Sequence, residues 1–291
     1  MNKFFLAKKQ KQMKQKRHLF FLLLFFSSCH SLDSMLYEPK RTPETWCDIQ
    51  PCSEIFGIVI NQPTSSILVY FLAFFTLFVG RYFWQTQNEQ KTRFWWSISL
   101  FLTGIGAALA GTSYQAFGYE IKCVGHEFCV WTSWWELFYN ITTVIGAAAL
   151  FLAVAAACMN RFWQKISAYY AFVSSILYMI IIAIGVFLQN KFLLSFEMMI
   201  LFTSLPYLFI LGLNIWQYFT EKKEEIGVLL GAWLGLCFTM ICYTIYLNQN
   251  ITQKLWAEGI WFSENDVLHL LMIFWIAYVY KYVGKTAKDL I

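Results

Sequence analysis

Three polar residues open the last apolar segment of the chain, in the order Asn265-Asp266-x-x-His269. Residues three and four apart share one face of a helix, so the Asp266 carboxylate and the His269 imidazole are expected to lie side by side. Ionisable groups inside a membrane span are costly and usually serve function. A histidine beside a carboxylate can act as a general base or as a metal ligand held in one tautomer. The simpler alternative is that Asp266 caps a helix beginning near Ser263 and His269 is a hydrogen-bonded core residue.

More polar residues fall at a similar predicted depth, since His269 lies about 8 Å below the nearer boundary at helical rise. Ser113 and Tyr114 end the second apolar segment, and Glu136 begins the third. Ser113 and Tyr114 could polarise a substrate or stabilise an oxyanion. The alternative interpretation gives them a hydrogen bond to His269 and leaves Glu136 at the level of the lipid headgroups. The candidate catalytic residues are therefore His269, Asp266, Ser113, Tyr114 and Glu136.

The composition indicates an integral membrane protein. Hydrophobic residues make up 58% of the 291 residues and charged residues 13%, against about 25% charged residues in soluble domains. Seven apolar runs are each long enough to cross a bilayer as a helix. The sequence predicts an all-α, seven-helix transmembrane bundle with spans near residues 64–81, 95–117, 133–158, 167–188, 193–216, 226–247 and 264–282.

Basic residues are frequent in every second loop and rare in the loops between, and this bias predicts the orientation. Ten of them flank alternate ends of the spans: Arg81, Lys91, Arg93, Arg161, Lys165, Lys222, Lys223, Lys281, Lys285 and Lys288. The other loops hold only Lys122, Lys191 and Lys254. The positive-inside rule then places the C-terminus in the cytoplasm and the mature N-terminus on the exoplasmic side. In a bacterial host the expected location is the inner membrane.

The N-terminus resembles a secretory signal over residues 1–28. Seven basic residues precede His18, a run of eight apolar residues follows, and Ser27-Ser28 leads to Cys29, which is the usual layout of such a signal. Lipidation of Cys29 and a plain or uncleaved signal both remain open. Without the seven basic residues the formal net charge of +5 becomes −2, so no nucleic-acid partner is expected, and membrane lipid is the expected partner.

The rest of the chain divides into an exoplasmic segment at 29–63, the transmembrane domain at 64–284 and a tail at 285–291. Four cysteines are predicted on the exoplasmic side: Cys47, Cys52, Cys123 and Cys129. Paired cysteines in that compartment indicate disulfides first. The two local pairings are favoured among the three that four cysteines allow, and a four-cysteine zinc site is the alternative.

The order of these motifs resembles the superfamily of alkaline ceramidases and progestin and adipoQ receptors. In that superfamily a Cys-Glu segment and a proline turn precede helix one, a Ser-x-x-x-His ends helix two, an acidic residue follows in helix three, and a His-x-x-x-His lies in helix seven. Here the matching stretches are Cys52-Ser53-Glu54 with Gln62-Pro63, Ser113 to Phe117, Glu136, and Asn265 to His269. The resemblance implies a seven-helix fold and, for several members, zinc-dependent hydrolysis of lipid amides.

Two positions depart from the superfamily pattern. Phe117 stands where the second helix would carry a histidine, and Asn265 replaces the first histidine of the pair in the seventh. A three-histidine zinc site cannot form at these positions, so zinc would need Asp266, Glu136, Glu54 or His126 beside His269. The sequence therefore favours a non-catalytic or divergent member with a lipid-accessible polar pocket. A membrane hydrolase of lipid amides or esters, with or without metal, is the first alternative, and a transporter is the second.

Overall fold

Seven long helices make up most of the computed structural model, which describes residues 31–289. They are α1 (Pro63–Gln85), α2 (Lys91–Ala116), α3 (Trp134–Cys158), α4 (Arg161–Leu188), α5 (Phe196–Glu221), α6 (Glu224–Asn248) and α7 (Glu264–Thr286). All seven are long and apolar enough to cross a membrane. The predicted seven-helix, multi-pass architecture is therefore confirmed. The predicted signal segment and Cys29 lie outside the described residues.

The predicted spans and the observed helices differ mainly at their polar ends. The largest difference is at α4, which begins at Arg161 and not near residue 167. Hydropathy detects only the apolar part of a helix, whereas this helix begins where Asn160 accepts hydrogen bonds from the backbone N–H groups of Phe162 and Trp163. A side-chain cap of this kind fixes the start of a helix whatever the polarity of its first turn.

Helix α3 lies at the centre of the bundle, and small residues allow its close packing. Its apolar window is 61% buried, more than that of any other spanning helix described. A Cβ atom at Gly106 of α2 would lie 3.0 Å from Thr142 Oγ1 of α3. A Cβ atom at Gly104 would lie 2.8 Å from Leu77 Cγ and 3.0 Å from the Ala73 carbonyl oxygen, both of α1. Helix α2 thus approaches both neighbours through glycine, as small residues permit in membrane helices.

A short β-hairpin precedes α1 and adds strand to the expected all-helical fold. Strand β1 (Cys52–Ile55) pairs antiparallel with β2 (Ile58–Asn61). The two turn residues, Phe56 and Gly57, have φ of 53° and 78°. Positive φ at both central positions is typical of the tight turns that match the twist of a hairpin. We call the end of the bundle that carries this hairpin the hairpin end, and the other the opposite end.

Two disulfides lie at the hairpin end. Cys47 bonds Cys52 at the start of the hairpin, and Cys123 bonds Cys129 in the connection between α2 and α3. These are the two local pairings that the sequence favoured, so that prediction is confirmed. Cys123 and Cys129 are fully buried and pack against Trp46 of the segment before the hairpin. The disulfides therefore stabilise a layer of chain that covers this end of the bundle.

Because α1 and α2 approach closely at Gly104, a larger side chain at this position should destabilise the bundle. We expect Gly104→Leu to destabilise the bundle by about 1–3 kcal/mol, because the new side chain must displace Leu77 and the α1 backbone. Gly212→Leu is the matched control, since a Cβ atom at Gly212 meets nothing within 4 Å. Thermal unfolding of the purified variants in detergent measures both. Equal melting temperatures for the two variants would contradict the packing described here.

Candidate functional site

A buried ion pair lies beneath the surface of the hairpin end. Lys122 ends the short helix Gly118–Lys122, and Glu136 lies in the first turn of α3. The Lys122 Nζ and the Glu136 Oε1 are in direct contact, and each side chain is 3% exposed. Removing two charges from water is costly, so such a pair is kept only where further hydrogen bonds satisfy it. The surroundings of both groups provide those bonds.

Ser113 and Ser133 complete the carboxylate side of the pair. The Ser113 hydroxyl donates to Glu136 Oε1 at 2.8 Å, and the hydroxyl oxygens of Ser113 and Ser133 are 2.7 Å apart. Because Ser113 uses its only proton on Glu136, Ser133 is the donor between the two serines. Ser113 and Glu136, both predicted from the sequence, are thus brought together, although in a contact that the sequence did not predict.

The lysine side of the pair is held by the chain that covers the bundle. Lys122 Nζ donates to the Tyr37 hydroxyl at 3.2 Å and to the Trp131 carbonyl oxygen at 3.3 Å. It also lies 5.0 Å from the centre of the Tyr114 ring, within the range of a cation–π contact. Burial alone would lower the pKa of Lys122, but the Glu136 carboxylate and the Tyr37 hydroxyl outweigh burial and raise the pKa above its usual value. The amine is therefore a cation and not a free base at neutral pH.

A cavity of about 380 Å³ opens above this pair at the hairpin end. Its walls come from residues 37–62 before α1, which we call the covering segment, from Lys122, and from α2, α3, α5, α6 and α7. Ser113, Tyr114 and His269, all predicted from the sequence, line it together with Lys122 and Asn265. Glu136 is not in its wall, but its Oε1 atom contacts two residues that are, Ser113 and Lys122. The size is that of a small-ligand pocket.

His269 is the buried imidazole in the cavity wall. The residue is 7% exposed, and its Nδ1 atom is buried with no hydrogen-bond partner. Across residues 31–289, no side chain or backbone group hydrogen bonds to this ring. A buried polar atom without a partner is uncommon in native proteins and needs an explanation. A ligand or water in the cavity would supply one.

Asp266 does not orient His269, contrary to expectation. Its Oδ2 atom accepts from the backbone N–H and the hydroxyl of Ser263, at 2.6 and 2.8 Å. Ser263 in turn accepts from the Asp266 backbone N–H, which completes a capping box at the start of α7. The simpler alternative raised from the sequence is the observed one, because the carboxylate at the third helical position reaches back to the cap and not down the helix to His269.

The described residues do not assemble the metal site considered from the sequence. Among residues 31–289, no three His, Cys, Asp or Glu side chains come together as metal ligands. Asp266 is turned toward the cap of α7, and the four cysteines at the hairpin end are paired in disulfides. The donor set that zinc would need around His269 and Asp266 is therefore missing from this arrangement.

Lys122 is the residue of this site that sequence reasoning missed. It was counted only as a loop lysine in the charge balance that predicts the orientation. One signal was available, since Lys122 is among the three lysines that run against the charge bias of the loops. A basic residue on the side where basic residues are rare is a candidate for a buried partner.

The fold and the cavity define this chain as a seven-helix membrane protein with a polar pocket at one end. The chain belongs to a family of unknown function (DUF6962), whose profile matches residues 64–288. Searches of the curated proteins and of the solved structures found no match to the chain.

Because the ion pair is buried, the stability of the protein should depend strongly on the presence of both Lys122 and Glu136. We expect Lys122→Met or Glu136→Met alone to destabilise the protein by about 3–5 kcal/mol, because each leaves a buried charge unpaired. The double variant should recover most of that loss. Unfolding of the purified variants in detergent measures the three changes.

The exposed pair between Lys191 Nζ and Glu38 Oε1, 2.5 Å apart, is the control. Lys191→Met should have no measurable effect, because solvent screens that pair. If the double variant at Lys122 and Glu136 lost as much unfolding free energy as the two single variants together, the two charges would not be coupled.

Proposed function

We propose that this protein is a membrane-embedded binding protein whose hairpin-end cavity takes a polar ligand with hydroxyl or amide groups, such as a lipid headgroup. The observation that carries the proposal is the set of buried polar atoms in the cavity wall that lack partners. Besides His269 Nδ1, these are Trp46 Nε1, Gln50 Nε2, Gln62 Oε1 and Gln115 Oε1. Such atoms favour a ligand that offers both donors and acceptors.

The charges around the cavity favour a ligand without net charge. Lys122 is neutralised by Glu136. The other charged residues of the wall are Arg41 and Glu264, one of each sign. Arg41 lies over the Tyr37 ring, 4.4 Å from its centre, and Glu264 accepts a hydrogen bond from Thr252. A ligand of strong single charge would gain little from a wall that is balanced in this way.

Binding without catalysis fits the hydrogen bonds of the candidate residues. A serine nucleophile needs a base within hydrogen-bond reach. Ser113 donates to Glu136, which is itself engaged with protonated Lys122, and no hydrogen bond joins Ser113 to His269 within residues 31–289. Membership of the ceramidase and adipoQ receptor superfamily stays a prediction, and so does the lipid partner.

A membrane hydrolase of lipid amides or esters is the second candidate. One observation favours it, namely that Ser113, Tyr114 and His269 line the same cavity. In that case His269 would take the proton from an attacking hydroxyl after a ligand had rearranged the serine, since catalytic hydrogen bonds often tighten only in the complex. No feature of the described helices favours the transporter considered from the sequence.

For the orientation, we propose that the hairpin end is exoplasmic and the C-terminus is cytoplasmic. Both disulfides lie at the hairpin end, and disulfides persist in oxidising compartments. The ten basic residues of the loop bias lie at the opposite end, which agrees with the positive-inside rule. The expected location is the cell membrane, which is the inner membrane if the host is bacterial.

Labelling of intact cells tests this orientation. A membrane-impermeant maleimide should label Glu258→Cys, which is exposed at the hairpin end, above the wild-type background. Lys285→Cys, exposed at the opposite end, should react only after the cells are permeabilised. Labelling of Lys285→Cys in intact cells would reverse the orientation.

Titration of the purified protein with a short-chain ceramide tests the ligand class, because this lipid carries one amide and two hydroxyls. We expect saturable binding that His269→Phe weakens on the order of 10- to 100-fold, since the variant removes the buried hydrogen-bonding atom and keeps a ring. His126→Phe is the matched control, because His126 lies in the Cys123–Cys129 loop outside the cavity wall.

The same titration separates the two candidates. Binding without turnover supports the proposal. Release of free fatty acid by the wild type, lost in His269→Phe and kept in His126→Phe, would replace it with the hydrolase. Equal binding by the wild type, His269→Phe and His126→Phe would show that the ligand does not bind in this cavity.

A further inference from the structure

A second cavity lies at the opposite end of the bundle, between α2, α3 and α4. Its volume is about 510 Å³. Three cationic side chains line it: Lys91 at the start of α2, and Arg161 and Lys165 in the first turns of α4. The rest of the wall consists of Trp95 of α2, of Leu152, Ala155 and Ala156 of α3, and of Gln164 and Ala168 of α4. Cationic and apolar groups thus meet in one site.

None of the three cations has an acidic partner within residues 31–289. The ion pairs described there join other residues. The carboxylate of Asp289 accepts from the backbone N–H groups of Lys91 and Thr92 at 2.9 and 2.7 Å. Asp289 therefore caps α2 and makes no ion pair with the Lys91 ammonium. Three side-chain cations and one neighbouring carboxylate leave a net positive charge at the cavity.

The helix geometry adds to this charge. Lys91 and Arg161 are the first residues of α2 and α4, so two helix N-termini border the same cavity. The N-terminus of a helix carries a partial positive charge and favours anions nearby. Asn160 and Asp289 already satisfy some of the free N–H groups there. The positive charge of the cavity therefore comes mainly from the three side-chain cations, with a smaller contribution from the helix ends.

The apolar part of the wall determines which anion fits. Leu152 of α3 is partly exposed and Ala168 of α4 is exposed, whereas Ala155 and Ala156 of α3 are buried. Trp95 lies in the first turns of α2, where aromatic residues mark the membrane interface. A soluble phosphate would leave this apolar surface uncovered. A phospholipid would place its phosphate on the cations and its acyl chains along Leu152 of α3 and Ala168 of α4.

We propose that this cavity is a binding site for the phosphate headgroup of an anionic membrane phospholipid. Basic pockets between spanning helices are suited to such headgroups. The proposal is independent of the function assigned to the hairpin-end cavity, which lies at the other end of the bundle. The proposal also differs from the positive-inside rule. That rule requires basic residues on one side of the membrane, but it does not require them to line one cavity.

The test uses the purified full-length protein in nanodiscs of phosphatidylcholine with a small fraction of fluorescent phosphatidylglycerol. Energy transfer from the protein tryptophans to the labelled lipid reports its enrichment at the protein. We expect the triple variant Lys91→Gln/Arg161→Gln/Lys165→Gln to weaken binding on the order of 100-fold, and each single variant about fivefold. Labelled phosphatidylcholine with the same acyl chains should show no enrichment with any of these proteins.

The matched control is Lys222→Gln/Lys285→Gln/Lys288→Gln, which removes the same charge from exposed residues at the same end, outside the cavity wall. This variant should keep the wild-type affinity. An equal loss in both triple variants would show diffuse attraction by surface charge and would overturn the proposal.

Inorganic phosphate separates the two sources of the anion. If millimolar phosphate displaced the labelled lipid from the wild type, and bound equally well without lipid, the site would be one for a soluble anion and the lipid proposal would be wrong. Thermal unfolding in pure phosphatidylcholine shows that each variant is folded. A triple variant that unfolds is replaced by the three single variants, which carry the same prediction.

Discussion

The arrangement of the hairpin end depends on the buried contact between Lys122 and Glu136. Each charge lies in a place where it could not remain without the other. Through the hydrogen bonds of the pair, Tyr37 of the covering segment, Ser113 of α2 and Ser133 before α3 are held together. The pair therefore joins parts of the chain that are far apart in the sequence, and its lysine forms part of the wall of the cavity lined by His269.

Covalent bonds place the lysine where the carboxylate can reach it. Lys122 is followed directly by Cys123, whose disulfide to Cys129 closes a short loop. The Val130 backbone N–H donates to the Lys122 carbonyl oxygen at 2.9 Å just beyond that loop. The loop thus turns the chain back so that α3 begins beside the end of α2. A reducing environment would weaken this turn, which agrees with an oxidising location for the hairpin end.

The two ends of the bundle differ in whether the basic residues of their cavities have acidic partners. At the hairpin end, the lysine in the cavity wall is neutralised by a buried glutamate. At the opposite end, Lys91, Arg161 and Lys165 share a cavity with no acidic partner among the described residues. The first arrangement favours a ligand recognised by hydrogen bonds, and the second favours an anion. Both follow from side chains at the ends of spanning helices, where water or headgroups are within reach.

Much of the fold could be predicted from the sequence because its causes are local. Apolar length defines the seven spans, and short separations favour the two disulfides that form. Parts of the site were also accessible, since depth along the helices brought Ser113, Tyr114 and His269 to one cavity. Depth does not determine which groups pair, so the partner of Glu136 was missed. Asp266 was given the wrong neighbour because equal spacing suits both a cap and a helix face.

The last turn of α2 shows how a tightly packed helix can acquire a polar end. Residues Gly111–Ala116 form a π turn, in which the Phe117 backbone N–H donates to the Thr112 carbonyl oxygen at 2.8 Å. Such a turn corresponds to one extra residue inserted into an α-helix. One inserted residue rotates everything after it by about 100° relative to the helix before it. The glycine face that packs against α1 and α3 is therefore preserved, while Ser113, Tyr114 and Gln115 all reach the cavity. An insertion confined to one turn can change the chemistry of this end without rebuilding the bundle below it.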